Sequence, residues 1–138
     1  TLAAVANHYR IQPQYILEKA AGMLVSDLRM ARMLALSHNT DVTFEMEEDG
    51  RGYSIEMMVP SNAPPTGAET IVRQLDGRCG LSVHGPEASG VFGSRGEFHT
   101  SVSAWRIRLA VPREDARWVH VLPGGQIKTT RGDEDEDL

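Results

Sequence analysis

From Leu17 to Leu36 this chain carries apolar residues at two adjoining helical phases. After Asp41 the period of the hydrophobic pattern drops to two and stays there. Leu17, Ala20, Ala21, Leu24, Leu28, Ala31 and Ala35 step by three and four, so they line one face of an α-helix. The core contact of that helix is expected at Leu17, Leu24, Leu28, Ala31 and Ala35. Ile16, Met23, Met30 and Leu34 form a neighbouring ridge, broken at Asp27, and Val25 and Leu36 widen the stripe on the other side. A helix that covers one sheet needs an apolar stripe a little over about 100° wide, whereas this one approaches about two-thirds of the circumference. Two readings follow. The helix is buried between sheet and loops, or the second ridge packs against other subunits, a use to which adaptable methionines are suited.

The helix is expected over residues 14–37, about 36 Å long at 1.5 Å per residue. Pro13 either opens it, where a missing N–H is harmless, or kinks a longer helix that includes Thr1 to Gln12. Asn39 can take the left-handed conformation that ends a helix. Beyond it, residues 41–130 read as β-rich. Val42, Phe44 and Met46 alternate with polar neighbours, as do Tyr53, Ile55 and Met57, and Glu48-Asp-Gly-Arg-Gly52 between them is a hairpin turn. Pro60 to Gly67 reads as a loop, and Ile71 to Leu75 and Leu81 to His84 as short strands. The glycine-rich stretch Gly85 to Gly96 reads as a connection. Trp105, Ile107, Leu109 and Val111 mark a half-buried strand; Trp118 to Leu122 and Gln126 to Thr129 follow as two more, joined by Pro123-Gly124-Gly125. The fold class is therefore α+β, one long N-terminal helix on antiparallel sheet, as one domain over residues 1–132. Residues 133–138 form an acidic tail too charged to pack, expected to be disordered.

Charge excludes some roles. The net charge is −5, but five of the 19 acids are residues 133 to 137; without them 14 acids face 14 bases. The domain therefore has no global field to gather nucleic acid or acidic lipid. Arg106, Arg108, Arg113 and Arg117 make a candidate basic strip, with Glu114, Asp115 and the acidic tail close by, so nucleic acid is disfavoured as a partner. Cys79 is alone, so no disulfide closes within the chain. No stretch reaches the roughly 20 apolar residues a membrane helix needs. Thr1 to Ala6 is apolar but too short for a signal peptide. Without a starting Met, the chain is expected to be a processed or trimmed product with sequence upstream.

No residue pattern amounts to a catalytic or metal site. His8, His38, His84, His99 and His120 have no partner at ligand spacing. Gly93-Ser-Arg-Gly96 lacks the first glycine of a nucleophile elbow, and no phosphate loop follows from Gly90, Gly93 and Gly96. Glu45, Glu47 and Glu56 are expected to face solvent on the hairpin. Arg131-Gly-Asp133 matches an adhesion tripeptide at the level of chance, and the acidic tail lacks the spacing of a calcium loop. No cofactor and no metal is expected. An enzyme with a site assembled from scattered residues would need a deep polar pocket holding perturbed acids.

Ala31-Arg32-Met33-Leu34-Ala35, a polar turn and then Val42-Thr43-Phe44 resemble the helix-to-strand junction of type II secretion minor pseudopilins and type IV minor pilins of the GspH/FimT kind. Phe92-Gly-Ser-Arg-Gly96, Trp105-Arg-Ile107 and Gly124-Gly-Gln-Ile127 resemble that family's later strands and final turn. The resemblance covers most of Leu17 to Lys128. It implies a pilin-like fold with two stacked sheets, and a non-enzymatic filament subunit in the periplasm, anchored in a bacterial inner membrane. Its partners would be other pseudopilin or pilin subunits, with secreted proteins or an outer-membrane channel further along. The function implied is support of protein export across the outer membrane, or alternatively pilus assembly, adhesion or DNA uptake. The family's apolar leader, with its cleavage site, methylated first residue and early glutamate, does not occur in these 138 residues. Thr1 to Ala6 would be its last remnant.

Overall fold

The computed structural model describes residues 12–57, 70–84, 89–100 and 105–132. The expected loop at Pro60 to Gly67, the Thr1 to Ala6 remnant and the 133–138 tail lie outside them. Helix α1 spans Pro13–His38. Pro13 opens the helix, so of the two roles weighed for it the described residues display the start. Gln12 offers no side-chain cap, but its carbonyl accepts from the Tyr15 and Ile16 amides at 2.9 and 3.2 Å. At the other end Asn39 sits at φ 50°, ψ 48°, and both its amide and that of Thr40 return to the Ala35 carbonyl. The left-handed residue ends the helix and turns the next amide back onto the Ala35 carbonyl of its last turn.

Nine strands follow among the described residues: β1 Val42–Met46, β2 Gly52–Met57, β3 Thr70–Gln74, β4 Gly80–His84, β5 Ser89–Phe92, β6 Phe98–His99, β7 Trp105–Ala110, β8 Arg117–Val121 and β9 Ile127–Arg131. They form two antiparallel sheets, one in the order β3-β2-β1-β5-β6 and the other β4-β7-β8-β9. This is the α+β arrangement expected, with the helix against both sheets. The β1–β2 hairpin sets Phe44 opposite Ile55 and Val42 opposite Met57. Its turn is closed by the Gly50 amide to Glu47 and the Glu47 amide to Gly52.

The segment Gly85 to Gly96 is a correction. It is not merely a connection, because Ser89–Phe92 forms β5 and pairs with β1, placing Gly90 opposite Phe44. Of its two inward residues, Phe92 is apolar but Gly90 is a glycine, which erases the apolar alternation that would have announced the strand. The glycine has a packing reason. A Cβ at Gly90 would collide with the ring of Phe98, which lies across the backbone there.

The core is one cluster shared by all three layers. Trp105 of the four-stranded sheet meets Phe44 of the other sheet edge-on at 5.5 Å and Phe98 at 5.0 Å; Phe44 also meets Tyr53 at 5.2 Å. Such aromatic pairs add to the hydrophobic term through their quadrupoles. Leu17, Leu24, Leu28, Ala31 and Ala35 are all fully buried against this cluster. The alanines let the helix approach the sheets closely and the leucines fill the space between. Truncating Leu24 or Leu28 to alanine is predicted to cost about 2–5 kcal/mol each, while Met33→Ala on the opposite side changes stability by less than about 0.5 kcal/mol. Chemical denaturation of the three variants checks the contrast.

Candidate assembly surface

The buried stripe of α1 leaves an opposite stripe in solvent. At 100° per residue, Tyr15, Gly22, Ser26, Arg29, Met33 and Leu36 fall within a narrow outward arc, and all six are exposed. Three of them are large apolar residues: Tyr15 is 58 % exposed, Met33 63 % and Leu36 42 %. Tyr15 and Met33 are 18 residues apart, so they lie on one line along the helix, about 27 Å from each other.

The expected ridge of Ile16, Met23, Met30 and Leu34 sits between these stripes, on one flank. Ile16 is a correction: it is buried in the core cluster rather than on a free ridge. Met23, Met30 and Leu34 are half-buried, and Leu34 packs on the core. The reason is that β3 and the turn after it rise along this flank. Met23 shares a groove of about 210 Å³ with Gln74, Leu75 and Asp76. Of the other flank, Val25 is half-buried against the core, and Leu36 turns outward.

Asp27, which interrupts the ridge in the sequence, is a buried anchor. The Tyr53 hydroxyl donates to its Oδ2 at 2.6 Å, and Arg73 brings Nε to Oδ2 at 3.1 Å and Nη2 to Oδ1 at 3.4 Å. Burial pushes the Tyr53 hydroxyl well above the usual phenol range, and the carboxylate beside it adds to the effect. Arg73 is held more firmly protonated by the same carboxylate. A charge in this position is tolerated because both oxygens are satisfied. The three residues fasten α1 to β2 and β3. The only sequence signal was an acid within an apolar arc; its partners lie 26 and 46 residues away.

Arg32 fastens the other sheet ends. Its Nε donates to the Gly96 carbonyl at 3.0 Å and its Nη2 reaches the Gly124 carbonyl at 3.4 Å. The two turns touch: Gly96 and Gly125 have φ of 82° and 89°, and a side chain at Gly125 would strike the Gly96 carbonyl. Arg32 thus gathers the β5–β6 and β8–β9 turns under the C-terminal half of the helix. A larger groove of about 550 Å³ runs between α1 and the outer edge of β9, lined by Gly22, Val25, Ser26 and Arg29 on the helix and by Arg117, Ile127 and Thr129 on the sheet.

The four arginines do not form one strip. Arg106 is buried with its guanidinium 5.2 Å over the Trp118 ring, and Arg108 is half-buried on the same sheet face. Arg113 is exposed in a turn at φ 70°, and Arg117 points to the helix side, 3.5 Å from Glu18. Glu45 and Glu56 are exposed, whereas Glu47 is half-buried and accepts from the Gln74 side chain at 2.6 Å. Gly93 to Gly96 is the β5–β6 turn, closed by the Gly96 amide on the Gly93 carbonyl. A backbone amide and then the His99 ring hold the Glu97 carboxylate below its usual range. Cys79 is buried, and burial pushes its thiol up. Among the described residues no three His, Cys, Asp or Glu side chains converge as metal ligands, and no helix is long and apolar enough to cross a membrane.

Residues 20–125 match the sequence profile of the family described as type II transport protein GspH. No curated protein matches the chain by sequence. Among solved structures, the type IV minor pilin FimU of Pseudomonas aeruginosa is similar in fold at 17 % identity, with a TM-score of 0.66, over 83 % of this chain and 87 % of that one. The minor pseudopilin EpsH from the type 2 secretion system of Vibrio cholerae is similar at 12 % identity and the same TM-score of 0.66, over 86 % of this chain and 98 % of that one.

Asp27→Ala is predicted to lower stability by about 1–3 kcal/mol, because the Tyr53 hydroxyl is left buried without its acceptor. Tyr53→Phe in the same background should recover part of that loss. A double-mutant cycle by urea denaturation checks it, and strict additivity of the two changes would show that the pair is not coupled.

Proposed function

Because the chain belongs to the GspH family of type II transport proteins, we propose that it is a structural, non-enzymatic minor pseudopilin. In this reading it joins a type II secretion pseudopilus through α1 and supports the export of folded proteins across the outer membrane. The observation that carries the reading is the division of α1 into two stripes. One is consumed by the chain's own sheets. The other presents Tyr15, Met33 and Leu36 to solvent, with half-buried Met23, Met30 and Leu34 along its flank. A helix that has already satisfied its own sheets gains further burial only from neighbours, and a filament supplies them at regular spacing.

The subunit would stand in the periplasm with its helix continuing upstream into an inner-membrane anchor, bearing the cleaved and methylated N-terminus of its class. Partners are other pseudopilin subunits first, then the exported protein or the outer-membrane channel at the growing end. No chemistry is asked of the site. The work is mechanical, with the β domain carried outward as helices stack. A minor type IV pilin is the second reading, favoured by the similarity of fold to a type IV minor pilin at the same TM-score.

In a bacterium carrying the parent gene, Met33→Glu and Leu36→Glu are predicted to abolish co-purification with the other pseudopilins and to block secretion. The folded domain should keep its stability within about 0.5 kcal/mol. Loss of pili with secretion intact supports the pilin reading instead. Normal assembly of both variants overturns the helix interface.

A further inference from the structure

The groove of about 550 Å³ between α1 and β9 is shaped and charged for an occupant from outside the domain. On its helix side Gly22, Val25, Ser26 and Arg29 stand at i, i+3, i+4 and i+7. Four such positions frame the hole that a knob from a facing helix enters. Gly22 forms part of the floor. Glycine weakens a helix interior relative to alanine, a loss that close packing can offset. The domain itself makes no such use of it, since a Cβ built at Gly22 meets nothing within 4 Å. The opposite wall carries surplus positive charge. The Leu122 amide donates to the Gln126 carbonyl at 2.9 Å and the Gly132 amide to the Ala116 carbonyl at 2.8 Å, which fixes the phase of the β8–β9 ladder. Bonded pairs alternate, so Arg117 and Arg131 face each other as a non-bonded pair, where side chains lie closest. Like charges directly opposite destabilise a sheet. The Arg117 side chain is only 12 % exposed, yet its contacts are long, 3.3 Å to the Asp115 carbonyl and 3.5 Å to Glu18. Glu18 is also divided, because the Gln14 side chain donates to the same oxygen at 3.3 Å. Arg29 is exposed and makes no ion pair among the described residues.

We propose that this groove receives a helix of another subunit, laid along α1 over Gly22, which turns an aspartate or glutamate between Arg29 and Arg117. The four-residue hole selects a helix. A strand added to β9 is a poorer occupant, because Lys128 and Arg131 stand on that strand as charged guards against pairing. The missing counter-charge selects an acid: Glu18 is the one carboxylate among the lining residues, against Arg29 and Arg117 in the groove and Arg131 across from Arg117. A guanidinium–carboxylate bond strengthens as the arriving helix closes the groove to water, and the surplus charge turns away a basic partner. Tyr15, Met33 and Leu36 offer apolar contact towards the ends of α1, whereas this groove offers a charge-selective contact at its middle. That the occupant is another subunit rests on the filament reading; that it is helical and acidic rests on the groove alone.

Photo-crosslinking in a bacterium carrying the parent gene tests it, with the reactive residue placed either at Thr129, on the sheet wall of the groove, or at Met33, on the outward stripe. The Thr129 position should link to another subunit, and mass spectrometry should map the link to a helical segment with an Asp or Glu within one turn. Arg29→Glu should lower that link about tenfold or more, and Arg29→Lys far less. Gly22→Leu, which fills the hole, should lower it as strongly, while the isolated domain melts no lower than the unaltered one, since the new side chain has room and favours the helix. A Thr129 link indifferent to Arg29→Glu or to Gly22→Leu overturns the proposal, and so does one mapped to a strand or to a segment without an acid. Absence of the Thr129 link while Met33 keeps one overturns the groove and leaves the filament reading standing. Absence of both overturns the two together.

Discussion

The contact between the leucine-alanine stripe of α1 and the aromatic cluster beneath it is what the rest of the molecule depends on. Neither sheet is complete without it. The five-stranded sheet presents Phe44, Tyr53 and Phe92 inward, the four-stranded sheet presents Trp105, Ile107 and Leu109, and the helix seals the seam between them. Polar fastenings then set the helix in place at two points. Asp27 holds β2 and β3 near its middle, and Arg32 holds two glycine turns farther along. Apolar burial supplies the driving force, which is non-directional, and these charge-assisted hydrogen bonds fix rotation and register.

That arrangement decides what is left over. Once Leu17, Leu24, Leu28, Ala31 and Ala35 face inward, Tyr15 and Met33 must face outward, because the helical period allows nothing else. The outward stripe is not greasy throughout. Gly22, Ser26 and Arg29 occupy its middle, so apolar contact is concentrated towards the two ends. Small residues in between let another helix or strand come near without a clash.

Elements with strong local periodicity were legible in the sequence: the helix, its left-handed end at Asn39, the β1–β2 hairpin and the strand beginning at Trp105. What escaped depends on partners distant in the chain. β5 was hidden because Gly90 stands where an apolar residue would signal an inward position, and only Phe98, folded over it, explains the choice. Asp27 looked like a break in a ridge because Tyr53 and Arg73 cannot be assigned to it from spacing. Ile16 was placed on a free ridge because helical arithmetic gives a side chain's direction but not the height of the neighbouring sheet edge. The resemblance of Ala31 to Ala35 and Val42 to Phe44 to a family junction carried the fold further than periodicity could, and Arg32 within it turned out to grip the turns that the glycine pattern had marked.

Methionine oxidation tests the shared-helix account most directly, because Met33 is exposed while Met23 and Met30 are half-buried on the same helix. Dilute peroxide applied to the isolated domain and to the subunit assembled with its partners, followed by mass spectrometry, reports each site separately. The account predicts fast oxidation of Met33 in the isolated domain and a several-fold slowing on assembly, with Met46 and Met57 of the β1–β2 hairpin unchanged. Met33 oxidising at the same rate in both states would mean that the outward stripe of α1 touches no neighbour.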